Sequence, residues 1–225
     1  MKTEGTVSVT NSQGRSVTVR DDMRLNSGYG LETEEASYAW INLDDAKLVK
    51  MDAVSEISIR KSGKKLDILL DSGNLFFNVS KPLEEDETFN IRTSTMAVGI
   101  RGTCGWVKVI DQWTSVLYVL EGTVTVTVTD PVTGETKTET VKGGETVTCK
   151  VYPQDTQGGK CDIIRQTFTV SDIDGFVLVE LVKDNDLCNK IYEDSGLDIR
   201  NSGINAAEKL KEDQQEVHEK LKQIE

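Results

Sequence analysis

Short runs of alternating apolar and polar residues follow one another from Val7 to Val151 and dominate most of the chain. Turns rich in glycine, asparagine or aspartate separate these runs. Alternation places successive side chains on opposite faces of a strand, and regularly spaced short strands are typical of an all-β domain. No single run buries much surface alone, so the strands must stack. The sequence predicts a mainly β fold, an antiparallel two-sheet β roll or solenoid-like sandwich of short strands, with a C-terminal α-helical appendage.

The apolar pattern changes to a helical period after Tyr152. One apolar face follows Ser171 and Asp174, which resemble a capping box, although the β-branched content of 176–179 also allows a strand there. A second apolar face ends at Gly196, where a helix C-terminal glycine is expected. We therefore divide the chain into a β domain at 5–152, a loop at 153–161, a helical appendage at 162–200 docked on the β domain, and a solvated amphipathic helix at 203–225.

Composition excludes several functional classes. The net charge is −12 and the pI is about 4.7, so nucleic acid and anionic membranes are poor partners. The single histidine, His218, lies in the C-terminal tail, so the β domain cannot assemble a Ser-His-Asp or Cys-His pair. A glycosidase pair of carboxylates stays open, but only 6% of the residues are aromatic, too few for a sugar-binding cleft. We expect no enzyme activity and no cofactor.

The four cysteines lack the spacing of a metal site. They are Cys104, Cys149, Cys161 and Cys188, and no two form a CxxC pair, so we expect no bound metal. Cys149 and Cys161 flank a polar loop and have two interpretations. They form a disulfide, or they are small buried apolar residues.

An arginine stands between two glycines in an otherwise apolar stretch. The segment contains Gly99, Arg101, Gly102 and Thr103. Glycines permit close backbone approach, which predicts a tight crossing with the guanidinium buried against carbonyls or a carboxylate. The other interpretation is a site where Arg101 binds an anion. The segment defines a structural motif without naming a ligand.

A strongly polar hairpin follows Gly122. Its first strand directs valines to one side and threonines to the other, whereas the return strand is polar until Val141. Such a strand is expected at a sheet edge, where threonine and charge discourage aggregation. We therefore consider Thr136, Thr138 and Thr140 a possible binding face for a glycan or an extended chain. The alternative is simply solvated β surface.

An ordered series of motifs carries a family resemblance. The motifs are Leu69–Val79, Phe89–Thr93, Ile100–Thr103, Leu120–Val124 and Gly143–Glu145. Together they resemble the FecR domain, over about Gly5 to Val151. The resemblance implies an extracytoplasmic, non-enzymatic β module. In Gram-negative bacteria such domains occur in anti-sigma regulators of iron uptake, and elsewhere in anchored or secreted surface proteins.

These observations lead to one functional expectation with two alternatives. We expect an extracytoplasmic binding or scaffold module of a bacterial surface or secreted protein, with a protein or glycan partner and no insertion in the membrane. The first alternative is the extracytoplasmic domain of an anti-sigma regulator, although the helical C-terminus departs from that arrangement. The second is a glycan- or cell-wall-binding adhesin module. An anchor or signal is expected outside this sequence.

Overall fold

The computed structural model describes residues 1–130, 133–152 and 160–223. Within these residues the chain forms fifteen strands, a single 3-10 turn at Val170–Asp172 and three α-helices. The strands are β1 (Lys2–Glu4), β2 (Val7–Thr10), β3 (Gly30–Thr33), β4 (Tyr38–Asp44), β5 (Lys47–Met51), β6 (Glu56–Ser62), β7 (Lys65–Val79), β8 (Thr88–Arg92), β9 (Ala97–Ile100), β10 (Cys104–Asp111), β11 (Thr114–Glu121), β12 (Thr123–Thr129), β13 (Thr136–Lys142), β14 (Glu145–Val151) and β15 (Cys161–Thr167). The helices are α1 (Gly175–Leu181), α2 (Asn185–Ser195) and α3 (Ala206–Lys222).

The strands join into one curled sheet rather than two. Its main path runs β13-β12-β9-β8-β7-β10-β11-β14-β15, and every pairing is antiparallel except β7 with β8. Strand β7 is fifteen residues long, and its two ends pair with different neighbours. Lys65–Leu69 pairs with β8, whereas Leu75–Val79 pairs with β5. The mainly β prediction is confirmed. The two-sheet roll is not, because this long strand belongs to both halves.

The bend in β7 depends on Gly73. This glycine has φ +79°, and a Cβ there would lie 2.2 Å from Ser55 Oγ and 2.6 Å from Val54 O. Side chains larger than hydrogen are therefore excluded by both conformation and space. A register shift against β6 occurs beside it, between Glu56 and Ile57. Gly73 thus marks the place where the sheet changes direction.

Two hydrophobic cores lie on opposite faces of the sheet. The inner core fills the curl and includes Ile68, Phe77 and Val126. The second core lies between the outer face of one half and the helices, and includes Trp106 and Phe176. The rings of Trp106 and Tyr118 stack there with centroids 4.2 Å apart. The helices are therefore docked on the β domain through this second core, to which both the sheet and the helices contribute side chains.

The structure corrects two predictions about the C-terminal part. Cys161–Thr167 does not begin the helical appendage but forms β15, since Cys161 and Ile163 alternate toward the inner core beside β14. The capping interaction joins Thr169 and Asp172, whose carboxylate accepts from the Thr169 N–H at 2.7 Å. The last helix, α3, has no fully buried residue, as predicted for a solvated amphipathic helix, but it packs against Gly175 and Tyr38. Residues 153–159 of the predicted loop and 224–225 of the predicted tail lie outside the described residues.

All four cysteines are buried free thiols. Cys149 lies opposite Ile163 in the β14–β15 register, and Cys161 lies opposite Val151. Burial raises the pKa of Cys149 to about 12. The structure therefore agrees with the second interpretation, in which Cys149 and Cys161 are small buried apolar residues and form no disulfide.

Candidate functional site

The hairpin β12–β13 presents a regular array of hydroxyl groups. Three threonines of β12 lie directly opposite three of β13, and the valines between them are buried in the inner core. We call this array the threonine face, formed by Thr125, Thr127, Thr129, Thr136, Thr138 and Thr140. Thr127 is half-buried and the other five are exposed. Because the array extends over two neighbouring strands, it offers a flat uncharged surface.

Strand β13 also has an unpaired backbone edge, since it ends the path of strands. The hydroxyls of Thr127 and Thr138 lie 3.1 Å apart, as expected for a pair that does not exchange backbone hydrogen bonds. The backbone groups of such a residue point away from the partner strand. In agreement, Thr140 O accepts from Arg165 Nη2 at 2.8 Å. Thr136 and Thr138 therefore direct their N–H and C=O groups to the open side of β13.

Side chains from the opposite end of the sheet cover part of this edge. Arg165 of β15 also donates to Glu139 and Glu145, each at 2.8 Å. From β13, Lys137 Nζ donates to Cys161 O. These contacts bridge the two ends of the curled sheet with side chains instead of a backbone ladder. The charges also discourage unspecific strand pairing.

The arginine turn differs from the prediction. Arg101 is exposed, and it makes no hydrogen bond or ion pair with the part of the chain that the structure describes. The tight crossing does exist, but the backbone makes it. Gly102 has φ +117°, and a Cβ there would lie 3.1 Å from Pro82 Cα. The turn therefore directs Arg101 outward. The prediction of a buried guanidinium is wrong.

The neighbours of Arg101 have different roles. A Cβ on Gly99 would make only ordinary contacts, the nearest at 3.6 Å, so that position does not require glycine. Thr103 is buried, and its hydroxyl has no hydrogen-bond partner among the described residues. Its carbonyl accepts from Val79 N at 3.0 Å. Gly102 and Thr103 therefore fix a turn that leaves Arg101 at the surface.

A buried lysine joins the sheet to the helices. Sequence analysis did not identify it, because Lys50 lies within the strand pattern of β5. Lys50 is 1% exposed. Its ammonium donates to Phe176 O at 2.8 Å and to Glu180 Oε1 at 3.0 Å. It also lies 4.9 Å from the ring centroid of Trp40. Desolvation lowers the pKa of Lys50, and the carboxylate of Glu180 opposes this effect.

Asp174 forms a second link between the layers. It precedes α1, and its carboxylate accepts from Trp106 Nε1 and from Lys108 Nζ, both at 2.9 Å. It is therefore not available to cap the helix. Instead, Asp213 of α3 accepts from Gly175 N at 2.6 Å. The first backbone N–H of α1 is thus capped by a carboxylate of the neighbouring helix α3.

Helix α3 is seated by close backbone contact. A Cβ on Gly175 would lie 2.4 Å from both the N and the Cα of Leu210. Further along, Gln214 donates to the hydroxyl of Tyr38 at 2.8 Å. His218 lies 2.6 Å from a carboxylate oxygen of Glu35. These contacts place α3 along the rim of the sheet.

A cleft of about 440 Å³ lies between α3 and the rim, and we call it the junction cleft. Its polar wall includes Asp52, Asn74, Lys108 and Asp174, and its apolar wall includes Val54, Ile110, Val217 and Leu221. Asp52 accepts from Asn74 Nδ2 at 2.8 Å. Burial raises the pKa of the Asp52 carboxyl to about 6, and Asp174 adds to this effect.

The described residues contain no group of histidine, cysteine and carboxylate side chains that could hold a metal ion. His218 pairs with Glu35, away from the four buried thiols. Among the same residues, no helix is long and apolar enough to cross a membrane.

Comparison with known proteins gives a match to a family model and a partial similarity to solved structures. Residues 30–125 match the model of the FecR protein family. No curated protein matches the sequence. Two crystal structures, at 1.65 and 2.50 Å, of a "putative anti-sigma factor" from Parabacteroides distasonis ATCC 8503 are similar, each with 18% identity and a TM-score of 0.48. Each alignment covers 61% of this chain and 59% of that chain.

Proposed function

Because this chain contains a FecR domain over residues 30–125, we propose that it is a non-catalytic binding module of a bacterial regulator, acting outside the cytoplasm. The threonine face and the open side of β13 carry this proposal. The threonine face is polar, uncharged and regularly spaced, and five of its six threonines are exposed, while Arg165 covers the open edge only at Thr140. The chain as a whole is acidic, with a net charge of −12. The contrast favours this hairpin as the place where a partner binds.

The partner that fits best is an extended polypeptide segment. Unpaired N–H and C=O groups at Thr136 and Thr138 match the groups of an added strand, and main-chain hydrogen bonds of this kind give affinity. The hydroxyls beside them contribute selectivity. Arg165 closes the edge at Thr140, so the available stretch is short. A short edge suits a reversible contact of the kind that signalling requires.

A second candidate is a glycan- or cell-wall-binding module of a surface protein. It is favoured by the paired rows of hydroxyl groups, since hydroxyls both donate and accept hydrogen bonds with sugars. The face has no aromatic ring on which a sugar could stack, because its outward positions are threonines. The polypeptide partner is therefore preferred.

Replacement of Thr136, Thr138 and Thr140 by lysine tests the surface as a whole. We expect the folded triple variant to lose capture of its partner in a cell-surface pull-down. The matched control places lysine at Gln13, Ser16 and Thr18, which are also exposed. Equal loss in both variants would indicate a general effect of charge. Unchanged capture by the threonine variant would exclude the threonine face.

Thr138→Pro separates the two candidates. Proline removes the N–H that points to the open edge but leaves the ladder with β12 intact, as is usual for edge strands. A polypeptide partner that adds a strand should then be lost, whereas binding in a glycan array should persist through the remaining hydroxyls. In the native host, the regulatory role further requires that the triple lysine variant alter transcription dependent on an alternative sigma factor. A surface adhesin would leave that transcription unchanged.

A further inference from the structure

The junction cleft contains a carboxylate without a cation. Each of three other carboxylates there has an ammonium partner: Asp174 with Lys108, Asp213 with Lys209 and Glu216 with Lys220. The carboxylate of Asp52 accepts only from neutral donors, the side chain of Asn74 and the backbone N–H of Ala53. Among the described residues that line the cleft, four carboxylates stand against three ammonium groups, so its wall carries one more negative than positive charge.

The nearest lysines, Lys50 and Lys108, form ion pairs with other carboxylates. Lys50 directs its ammonium to Phe176 O and Glu180, and it also lies over aromatic rings. Lys108 donates to Asp174. Moving either ammonium to Asp52 would break a partly buried ion pair and leave its present carboxylate alone, which is costly. Neither lysine forms an ion pair with Asp52, so a direct ion pair at this carboxylate requires a cation from outside the chain.

Apolar side chains line the mouth of the same cleft. Val54 is 38% exposed and Ile110 is 56% exposed, although both are large aliphatic residues. Val217 and Leu221 of α3 complete this wall. A half-buried negative charge beside an exposed apolar strip is complementary to a molecule that carries a positive charge and an apolar chain.

The loop that carries these groups is held in a strained conformation. Val54 has φ +52°, which is unfavourable for a β-branched residue. Hydrogen bonds fix the loop: Thr33 Oγ1 donates to Asp52 O at 2.6 Å, and Ser55 N donates to Thr33 Oγ1 at 2.9 Å. Strain of this kind persists only where the surroundings impose it, and it concentrates at binding sites. Here it presents Val54 and Asp52 to the cleft together.

We propose that the junction cleft binds a small organic cation, a primary ammonium group on a short aliphatic chain. The ammonium donates to Asp52, and the chain lies between Val54 and Ile110 on one side and α3 on the other. The volume of about 440 Å³ falls in the range of small-molecule sites. This site is separate from the threonine face and does not depend on the function proposed for it.

The test uses n-hexylammonium chloride as the probe, with hexanoate and hexanol as molecules of the same length. The full chain is titrated at pH 7.5 and followed by thermal melting and by NMR chemical shifts. We expect a saturable rise of the melting temperature with hexylammonium alone, with shifts confined to the cleft. Equal effects of hexanol would indicate apolar binding only and would overturn the proposal, as would the absence of any effect.

Two variants locate the site. Asp52→Asn should weaken hexylammonium binding by about ten-fold or more, because it removes a charge-assisted contact. Asp71→Asn is the matched control, since Asp71 is exposed and does not line the cleft. If Asp52→Asn fails to fold, Ile110→Lys serves in its place and should compete with the probe, because Ile110 is solvent-exposed and tolerates a polar group. Unchanged binding in a folded Asp52→Asn or Ile110→Lys variant would refute the site.

Discussion

Asp52→Asn tests whether the charged form of Asp52 lowers the stability of the folded protein at neutral pH. The pKa of this carboxyl rises from its ordinary value near 3.8 to about 6, chiefly because burial disfavours the charged form. The folded protein therefore holds this proton more tightly than the unfolded chain does. As pH rises from about 4 to about 6, the unfolded chain releases the proton first, and stability is lost. Asp52 thus destabilises the folded state at neutral pH.

The size of the effect follows from the two pKa values. Their difference corresponds to about 3 kcal/mol at pH 7, an upper limit of about that order. Asparagine keeps the shape and still accepts from Asn74, but it carries no charge. We expect Asp52→Asn to be more stable than the parent at pH 7 by up to about 3 kcal/mol and nearly equal to it at pH 4.

Urea denaturation of both proteins at pH 4, 5, 6 and 7 measures the difference directly. The difference in unfolding free energy should grow with pH and level off above 6. Asp71→Asn, at an exposed position, should show no such trend. A variant less stable than the parent at pH 7 would show that a cation already neutralises Asp52 in the free protein. The argument for an external cation would then fail as well.

Three further substitutions test the packing. Gly175→Ala should cost about 1–3 kcal/mol and expose α3 to proteolysis, because the new methyl group would meet the backbone of Leu210; an unchanged digestion pattern would contradict the close contact. Val54→Gly should raise stability in a thermal melt by up to about 1 kcal/mol, since relief of the positive φ exceeds the entropy cost of glycine, and a loss would argue against strain. Arg101→Ala should leave the melting temperature almost unchanged, because Arg101 is exposed; a large decrease would restore the buried interpretation.

Local patterns in the sequence were enough to predict most strands before Tyr152 and the polar hairpin, although not β15. Valine and threonine alternate strictly along β12, and a strand with one buried face requires that pattern. The sequence also indicated that helices follow the β domain. In these cases the information lies in neighbouring residues, so no knowledge of the tertiary fold is needed.

Other features depend on contacts between distant parts of the chain. The orientation of Arg101 is set by the approach of Gly102 to Pro82, which no local pattern reveals. Lys50 occupies an outward position of β5 and becomes buried only because α1 covers it. The junction cleft needs the loop after β5, strands β7 and β10 and helix α3 together, and these are far apart in sequence. A prediction from periodicity cannot locate such a site.

The length of β7 has a consequence for how the protein unfolds. Its first half pairs with β6 and β8, and its second half pairs with β5 and β10. If one half of the sheet unfolded, β7 would lose hydrogen-bonded neighbours along half of its length. The two halves of the sheet are therefore coupled energetically through β7. The sheet should therefore melt in one cooperative transition rather than in two steps. A chain built from so many short strands would thereby behave as a single folding unit.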